Sequence, residues 1–549
     1  MNFENLPENW KVVRLGRVAE IIMGQSPPSS TYNTERLGLP FLQGKFEFGE
    51  RYPTPIKWCS NPLKIAHKGD ILISVRAPVG DVNISPYDLC IGRGLAAVRP
   101  FKDKVHMLYL FFFLKNMKDE LEKLGGGSTF PAITKDILTN LPSLSPPLPE
   151  QKRIVEILSL AEDLIKKQKE AIALIDKILM AKFLEMFGDP ATNPKGWGVK
   201  RLGEVVDISP AKYKLWTKKV FFIPMELIPQ GEKVFTDFQI KDIDEVKSGT
   251  PVYPNDLLLA KITPCFENGK IGFVPPRDGC FIATTEVHPI RPKRKIDSRF
   301  LFFFLKHPRI KEYLKNNMTG TSGRKRVPKN ALKNLLIPLP PIELQKQFAQ
   351  IVEEFEKKRR EMQRTLKILE SLFKLLQKKA FTGELTAEWR EQNNVEWEIP
   401  QITERQAVLL ATIYYHQNIV EKPAMVTVAM KSAFLLQQEA GLNLGYDFIP
   451  YKYGPFSKEV YEDIEELEKN LLVERVKPKK DLEMTEIRPI EEFKDWTEKM
   501  IDSLPEDIKE IVKAYIEKYG KMELNELLDY VYAKYPEYAV KSKRKRRRK

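Results

Sequence analysis

Two stretches of the chain carry apolar residues in alternating steps of four and three. In the first these are Ile154, Leu158, Ala161, Ile165, Ile172, Ile175 and Leu179, with Gln168 in the one polar slot. In the second they are Phe348, Val352, Phe355, Met362, Leu366, Leu369, Phe373 and Leu376, interrupted by Arg359. Heptad spacing held this long predicts a coiled-coil seam, not an ordinary amphipathic helix. Prolines open both stretches, where a helix tolerates them. A single such helix would leave its stripe in water, so the two are expected to pack on each other. If a pseudo-twofold axis relates the flanking domains, the helices run antiparallel with the globular parts at opposite ends. About 38 residues of helix span roughly 57 Å.

Ahead of each stretch the pattern is one of short β-branched or aromatic runs, such as "GDILISV" and "DLLLAKI", separated by Gly and Pro. These predict strands and turns with one helical segment. That segment occurs twice: LFFFLK at 110–115 and again at 301–306. Three consecutive phenylalanines cannot share one helix face, so LFFFLK is expected to be core. Other landmarks recur in the same order. "PENWKVVRLGRVAEI" (7–21) matches "PKGWGVKRLGEVVDI" (194–208), Asp70 matches Asp256, Pro78 matches Pro264, and Gln151 matches Gln345. The first 386 residues are therefore a tandem duplication. The expected organisation is a mixed α/β domain at 1–146, a helix at 147–188, a second domain at 189–339 and a second helix at 340–386. A linker (387–401), a helical domain (402–490), further helices (491–540) and a basic tail (541–549) complete it.

Composition narrows the function. A net charge of +15 over 549 residues suits a polyanion, and nucleic acid is the usual one. Eight of the basic residues lie in the tail "KSKRKRRRK", so half of that excess says little about the folded domains. The N-terminus has neither a basic n-region nor an apolar h-region, and a cytoplasmic location is expected. Cys59, Cys90, Cys265 and Cys280 form no C-x-x-C pair, so neither a zinc site nor a disulfide framework is expected. Cys90 and Cys280 precede matching Arg-Pro pairs and read as one shared core position.

Two globular copies, each followed by a long helix, resemble the specificity subunit of type I restriction-modification systems. "LPENWKVVRLGRVAEIIMGQSP", "PPLPEQKRI", "FLEMFGDP" (183–190) and "KKAFTGELT" (378–386) carry the resemblance over residues 1–386. It implies an α+β protein with two tandem target recognition domains separated by a long antiparallel coiled coil. Each domain would read one half of a split double-stranded DNA sequence, and the helix pair would set the unread gap. It also implies a non-catalytic subunit. Two adenine methyltransferase subunits and the restriction-motor subunits would be its partners, with S-adenosylmethionine, ATP and Mg in those partners and no cofactor here.

No enzymatic motif competes with this. "SPPS" (26–29) lacks the aromatic residue of an adenine-methyltransferase motif, and "GLPFLQGKF" has neither the spacing nor the Ser/Thr of a phosphate loop. Asp70 and Asp256 read as turn-closing residues before strands. For DNA contact the candidates are loop residues. In the first copy these are Gln25, Ser26, Gln43, Lys45, Arg76, Arg93, Ser128 and Thr129. In the second they are Lys212, Tyr213, Lys261, Thr263, Arg324, Lys325 and Arg326. Glycine-rich loops let backbone approach phosphate, and basic residues suit it. Because the loops differ, the two half-sites are expected to differ.

Beyond 386 the linker "AEWREQNNVEWEIP" reads as an exposed connector. The string "YKYGPFSKEVYEDI" resembles a small, winged-helix-like helical module of toxin–antitoxin-associated proteins. Its acidic helix at 459–468 argues against insertion into a DNA groove, so a protein contact is an equal expectation. The other overall reading is a stand-alone DNA-binding or antitoxin-like regulator built on a specificity module.

Overall fold

The computed structural model describes the chain apart from residues 1–5, 126–131, 213–216, 231–233, 322, 394, 396, 398, 477–483 and 543–549. It divides into two compact units. Unit one holds Met1–Ile157 with Leu376–Lys549, and unit two holds Leu158–Leu375.

Among the described residues, the N-terminal domain of unit one holds eleven strands: β1 (Lys11–Arg14), β2 (Ala19–Met23), β3 (Tyr32–Asn33), β4 (Leu39–Leu42), β5 (Lys57–Cys59), β6 (Ile65–Ala66), β7 (Ile71–Ser74), β8 (Val82–Ile84), β9 (Leu89–Ile91), β10 (Leu95–Pro100) and β11 (Pro142–Ser145). They form a β1-β11 pair, a β2-β10-β7-β8 sheet and a β3-β5-β4-β9-β6 sheet. Unit two contributes β12 (Gly198–Arg201), β13 (Val206–Asp207), β14 (Lys219–Ile223), β15 (Gln239–Asp242), β16 (Thr250–Val252), β17 (Leu257–Ala260), β18 (Ile271–Phe273), β19 (Phe281–Ala283), β20 (Val287–Pro292) and β21 (Leu336–Leu339). Their orders are β12-β21, β13-β20-β17-β18 and β15-β14-β19-β16. Among the described residues, the second domain thus repeats the first strand for strand, apart from β3.

The duplicated residues do duplicated work. Asp70 accepts from the His67 N–H (2.8 Å) and holds Arg99 through two hydrogen bonds (3.0 and 2.9 Å). Asp256 accepts from the Tyr253 N–H (2.9 Å) and holds Arg291 likewise (2.8 and 2.7 Å). Each carboxylate is buried and closes the turn into the central strand, so its charge is matched in a forked pair. Gln151 accepts from the His106 N–H (2.7 Å) and donates to Pro146 O (2.7 Å), and Gln345 does the same with Asp297 N–H (2.9 Å) and Pro340 O (2.8 Å). LFFFLK is core in both domains: Phe111–Phe113 and Phe302–Phe304 are fully buried. Cys90 and Cys280 are buried too.

The long helices span Leu148–Phe187 and Ile342–Ala380. Within unit two they run antiparallel. Gln168 donates to Met362 O (2.9 Å), Asp176 pairs with Arg359 (2.9 Å), and Phe183 meets Phe348 edge-on at 5.6 Å. The two polar interruptions of the heptads are therefore the positions that fix register, since a buried polar group tolerates only the alignment that partners it. The seam residues Leu158, Ala161, Ile165, Ile172, Ile175, Leu179, Phe348, Val352, Phe355, Met362, Leu366, Leu369 and Phe373 are buried or half-buried. A second stripe, including Leu160, Leu164, Leu174, Ile178, Ile368, Leu372 and Leu375, is exposed. Helix ends close on LFFFLK helices: Phe183 and Phe187 pack on Phe300 in unit two, and Phe381 packs on Tyr109 and Phe113 in unit one.

The C-terminal domain folds around the helix Glu404–Val420, started by a Thr403/Gln406 capping box. "YKYGPF" forms a hairpin, Ile449–Tyr451 against Gly454–Phe456, followed by the helix Lys458–Lys469. Asp463 on that helix is buried among Arg405 (2.8 Å), Gln406 (3.0 Å) and Tyr446 Oη (2.9 Å). Its carboxylate faces inward and organises the domain. Residues beyond 490 pack on those before it, as in Tyr414–Glu498 (2.7 Å) and the Tyr519, Tyr530 and Lys534 contacts to Glu439.

The expected exposed connector is exposed only in part: Glu388 and Glu391–Asn393 face solvent, whereas Arg390 and Trp397 are half-buried against the rest of unit one. Ala387–Asn393 is helical, and Arg390 reaches the buried Glu150 at 2.5 Å. Trp397 donates to Asn9 O (2.8 Å) and packs on Trp496. Tryptophan and arginine in a linker carry enough surface to seal a joint. Lys11–Asp495 (2.8 Å) and the Arg17–Glu474 ion pair add charge contacts between the N- and C-terminal domains.

Candidate nucleic-acid interface

In the N-terminal domain, loops distant in sequence meet beyond the ends of β4, β7 and β9. Gln25 N–H donates to Ile91 O (3.0 Å), and Arg93 N–H donates to Ser26 Oγ (3.2 Å). Gly94 sits so close to Gln43 that an added Cβ would lie 2.5 Å from the Gln43 carbonyl oxygen, so only glycine fits. Val75 N–H donates to Gly94 O (2.9 Å), bringing Arg76 to the same edge. Gln25, Gln43, Arg76 and Arg93 are exposed there, and Ser26 is half-buried. Lys45 is paired with Asp81, which also binds Lys118 (2.7 Å). Burial pushes the Asp81 carboxyl up, but the two ammonium groups outweigh it and hold it below its ordinary range. Lys45 thus serves the loop's shape as well as its charge. Ser128 and Thr129 lie outside the described residues.

In unit two the corresponding edge follows β17. Thr263 N–H donates to Lys325 O (3.0 Å), Val327 N–H to Lys261 O (2.8 Å), and Lys261 N–H to Glu286 O (3.0 Å). Arg326 forks onto Glu286 (2.9 and 2.8 Å), and its guanidinium holds that carboxyl below the usual range. Thr263 Oγ1 donates to Glu267 (3.0 Å). Arg324 and Lys325 are exposed. Lys212 is not brought to this cluster: its N–H donates to Tyr253 Oη (3.1 Å), before the start of β17, whereas Lys261 follows its end. Tyr213 lies outside the described residues. Sequence reasoning missed Asp81 and Glu286, the carboxylates that fix the basic loops. Both lie in loops far along the chain from their partners, and no local pattern marks them.

Each edge presents hydrogen-bond donors and cations. A duplicated recognition module carried on long antiparallel helices defines a tandem recognition scaffold. The chain belongs to the family described as the type I restriction modification DNA specificity domain, which matches residues 7–174 and 194–371. Residues 438–536 match the antitoxin SocA-like, Panacea domain.

Among relatives, the protein provisionally named the type I restriction enzyme MjaX specificity subunit, from Methanocaldococcus jannaschii, is 52% identical over 180 residues, 32% of this chain and 42% of that one. The MjaIX specificity subunit of the same organism is 25% identical over 418 residues, 70% of this chain and 95% of that protein. The crystal structure of the type I system S subunit from M. genitalium aligns with a TM-score of 0.41 at 15% identity, covering 69% of this chain and 98% of that one. Among the described residues, no helix is long and apolar enough to cross a membrane.

Proposed function

We propose that the chain is the DNA sequence-specificity subunit of a cytoplasmic type I restriction-modification complex. The observation that carries this is the repeated loop cluster. The same strand topology presents exposed basic and amide side chains at matching edges, and the residues differ between copies. Base-edge contacts require such loops, while lysine and arginine set register on phosphates. Different loops on equal scaffolds read different half-sites, so the target is split and asymmetric. The exposed second stripe on the long helices offers apolar docking surface for two adenine methyltransferase subunits, and restriction-motor subunits join them. S-adenosylmethionine, ATP and Mg belong to those partners. A stand-alone regulator is the less favoured reading, because both specificity modules are matched nearly in full.

The test is co-expression with candidate methyltransferase subunits, followed by mapping of methylated adenines. A split, asymmetric motif with a fixed gap is expected. A continuous palindrome, or methylation by this chain alone, overturns the reading.

A further inference from the structure

One short turn occupies the same place in both domains without any likeness in sequence. In the N-terminal domain β4 runs parallel to β9, and the chain leaves β4 into a 3-10 turn, Lys45–Glu47. In unit two β14 runs parallel to β19, and the chain leaves β14 into a 3-10 turn, Met225–Leu227. Both turns close with the same backbone bond: Phe48 N–H to Lys45 O (3.0 Å) and Ile228 N–H to Met225 O (3.3 Å). The middle residue is Phe46 in one and Glu226 in the other.

Both middle residues point into solvent. Phe46 is 87% exposed, the most exposed large hydrophobic side chain among the described residues. Glu226 is exposed too. Neither turn floats. Lys45 is tied to Asp81, in the loop before β8. Lys270, just before β18, donates to Met225 O at 2.6 Å. Each turn is therefore pinned to the β7–β8 or β17–β18 connection, at the edge where the candidate DNA loops converge. A single exposed apolar residue is unremarkable by itself. An equivalent, braced position that carries a phenylalanine in one copy and a carboxylate in the other, inside a recognition edge, calls for a shared role.

We infer that this turn position is a specificity-determining residue in each domain. Phe46 packs against the C5-methyl of a thymine, and Glu226 accepts a hydrogen bond from the N4 amino group of a cytosine. These are the major-groove features that an apolar ring and a carboxylate recognise. A carboxylate near phosphates needs compensation, and the Lys270 ammonium bound to the preceding carbonyl supplies it. The inference rests on the DNA-specificity reading above.

The experiment selects duplexes from a random pool with the full chain, wild type and variants, and sequences the bound half-sites. Wild type is expected to require a thymine at one position of one half-site and a cytosine at one position of the other. Phe46→Ala should lose the thymine preference by about five- to 150-fold, the range of a single mismatched pair, and leave the other half unchanged. Glu226→Gln should relax only the cytosine. Replacing that thymine by uracil removes the methyl alone, and should weaken wild type but not Phe46→Ala. Because both side chains are exposed, thermal unfolding should be unchanged, which separates loss of reading from loss of fold. Unchanged preferences in both variants, or changes that fall in the same half-site, overturn the inference. If wild type selects no sequence at all, the DNA reading itself falls and takes this inference with it.

Discussion

Replacing Glu150 should loosen unit one more than any loop substitution. The carboxylate is fully buried and accepts from Trp10 Nε1 (3.0 Å), Thr386 Oγ1 (2.6 Å) and Arg390 (2.5 Å). It joins the start of the chain, the start of the first long helix and the segment just after the second. Glu150→Ala leaves a guanidinium with 18% of its side chain exposed facing a cavity, and strands two neutral donors. Removing one partner of a buried ion pair costs about 3–5 kcal/mol. Arg390 keeps its bond to Gly383 O (3.2 Å), which argues for the lower half of that range. Glu150→Gln retains size and an acceptor but loses the charge, and should cost about 2 kcal/mol, in line with a charged hydrogen bond. Urea unfolding followed by tryptophan fluorescence measures both. A loss below about 1 kcal/mol for Glu150→Ala, or no coupling in a Glu150/Arg390 double-mutant cycle, would refute the reasoning.

Three further outcomes are expected. Asp176→Ala should destabilise the helix pair by about 3 kcal/mol, because Arg359 is only 3% exposed, whereas the double change Asp176→Leu with Arg359→Met should recover most of that in thermal unfolding. Arg324→Ala and Lys325→Ala should weaken DNA binding across sequences, each lowering the slope of log K against log salt by about 0.9; an unchanged slope would remove them from the phosphate contacts. The Glu286 carboxyl is held below its unfolded range by Arg326, so its stabilisation is fully present above the unfolded value and is lost as pH falls through the folded one. Stability curves of wild type and Glu286→Gln should accordingly differ above about pH 5 and converge in stronger acid.

Much of the scaffold was legible in one dimension. The heptads named the helix pair, and the two polar slots, Gln168 and Arg359, turned out to be its register pins. LFFFLK marked both cores because three adjacent phenylalanines can be covered only from several sides. Of the loop candidates, Gln25, Ser26, Gln43, Arg76 and Arg93 were placed together, while Lys45 and Arg326 proved to be ion-paired and Lys212 stood elsewhere. The linker hid its role because Arg390 meets a partner 240 positions away.

By itself, then, the sequence determined the duplication, the helix pair and the buried segments, because periodicity and repetition are properties of neighbouring residues. Only the tertiary structure decided which charges are spent on internal pairs and which remain for a ligand. It also showed that Phe46 and Glu226 stand at one equivalent place. Strand pairing sets those relations across the chain, and it aligns backbones without requiring the side chains they present to be alike.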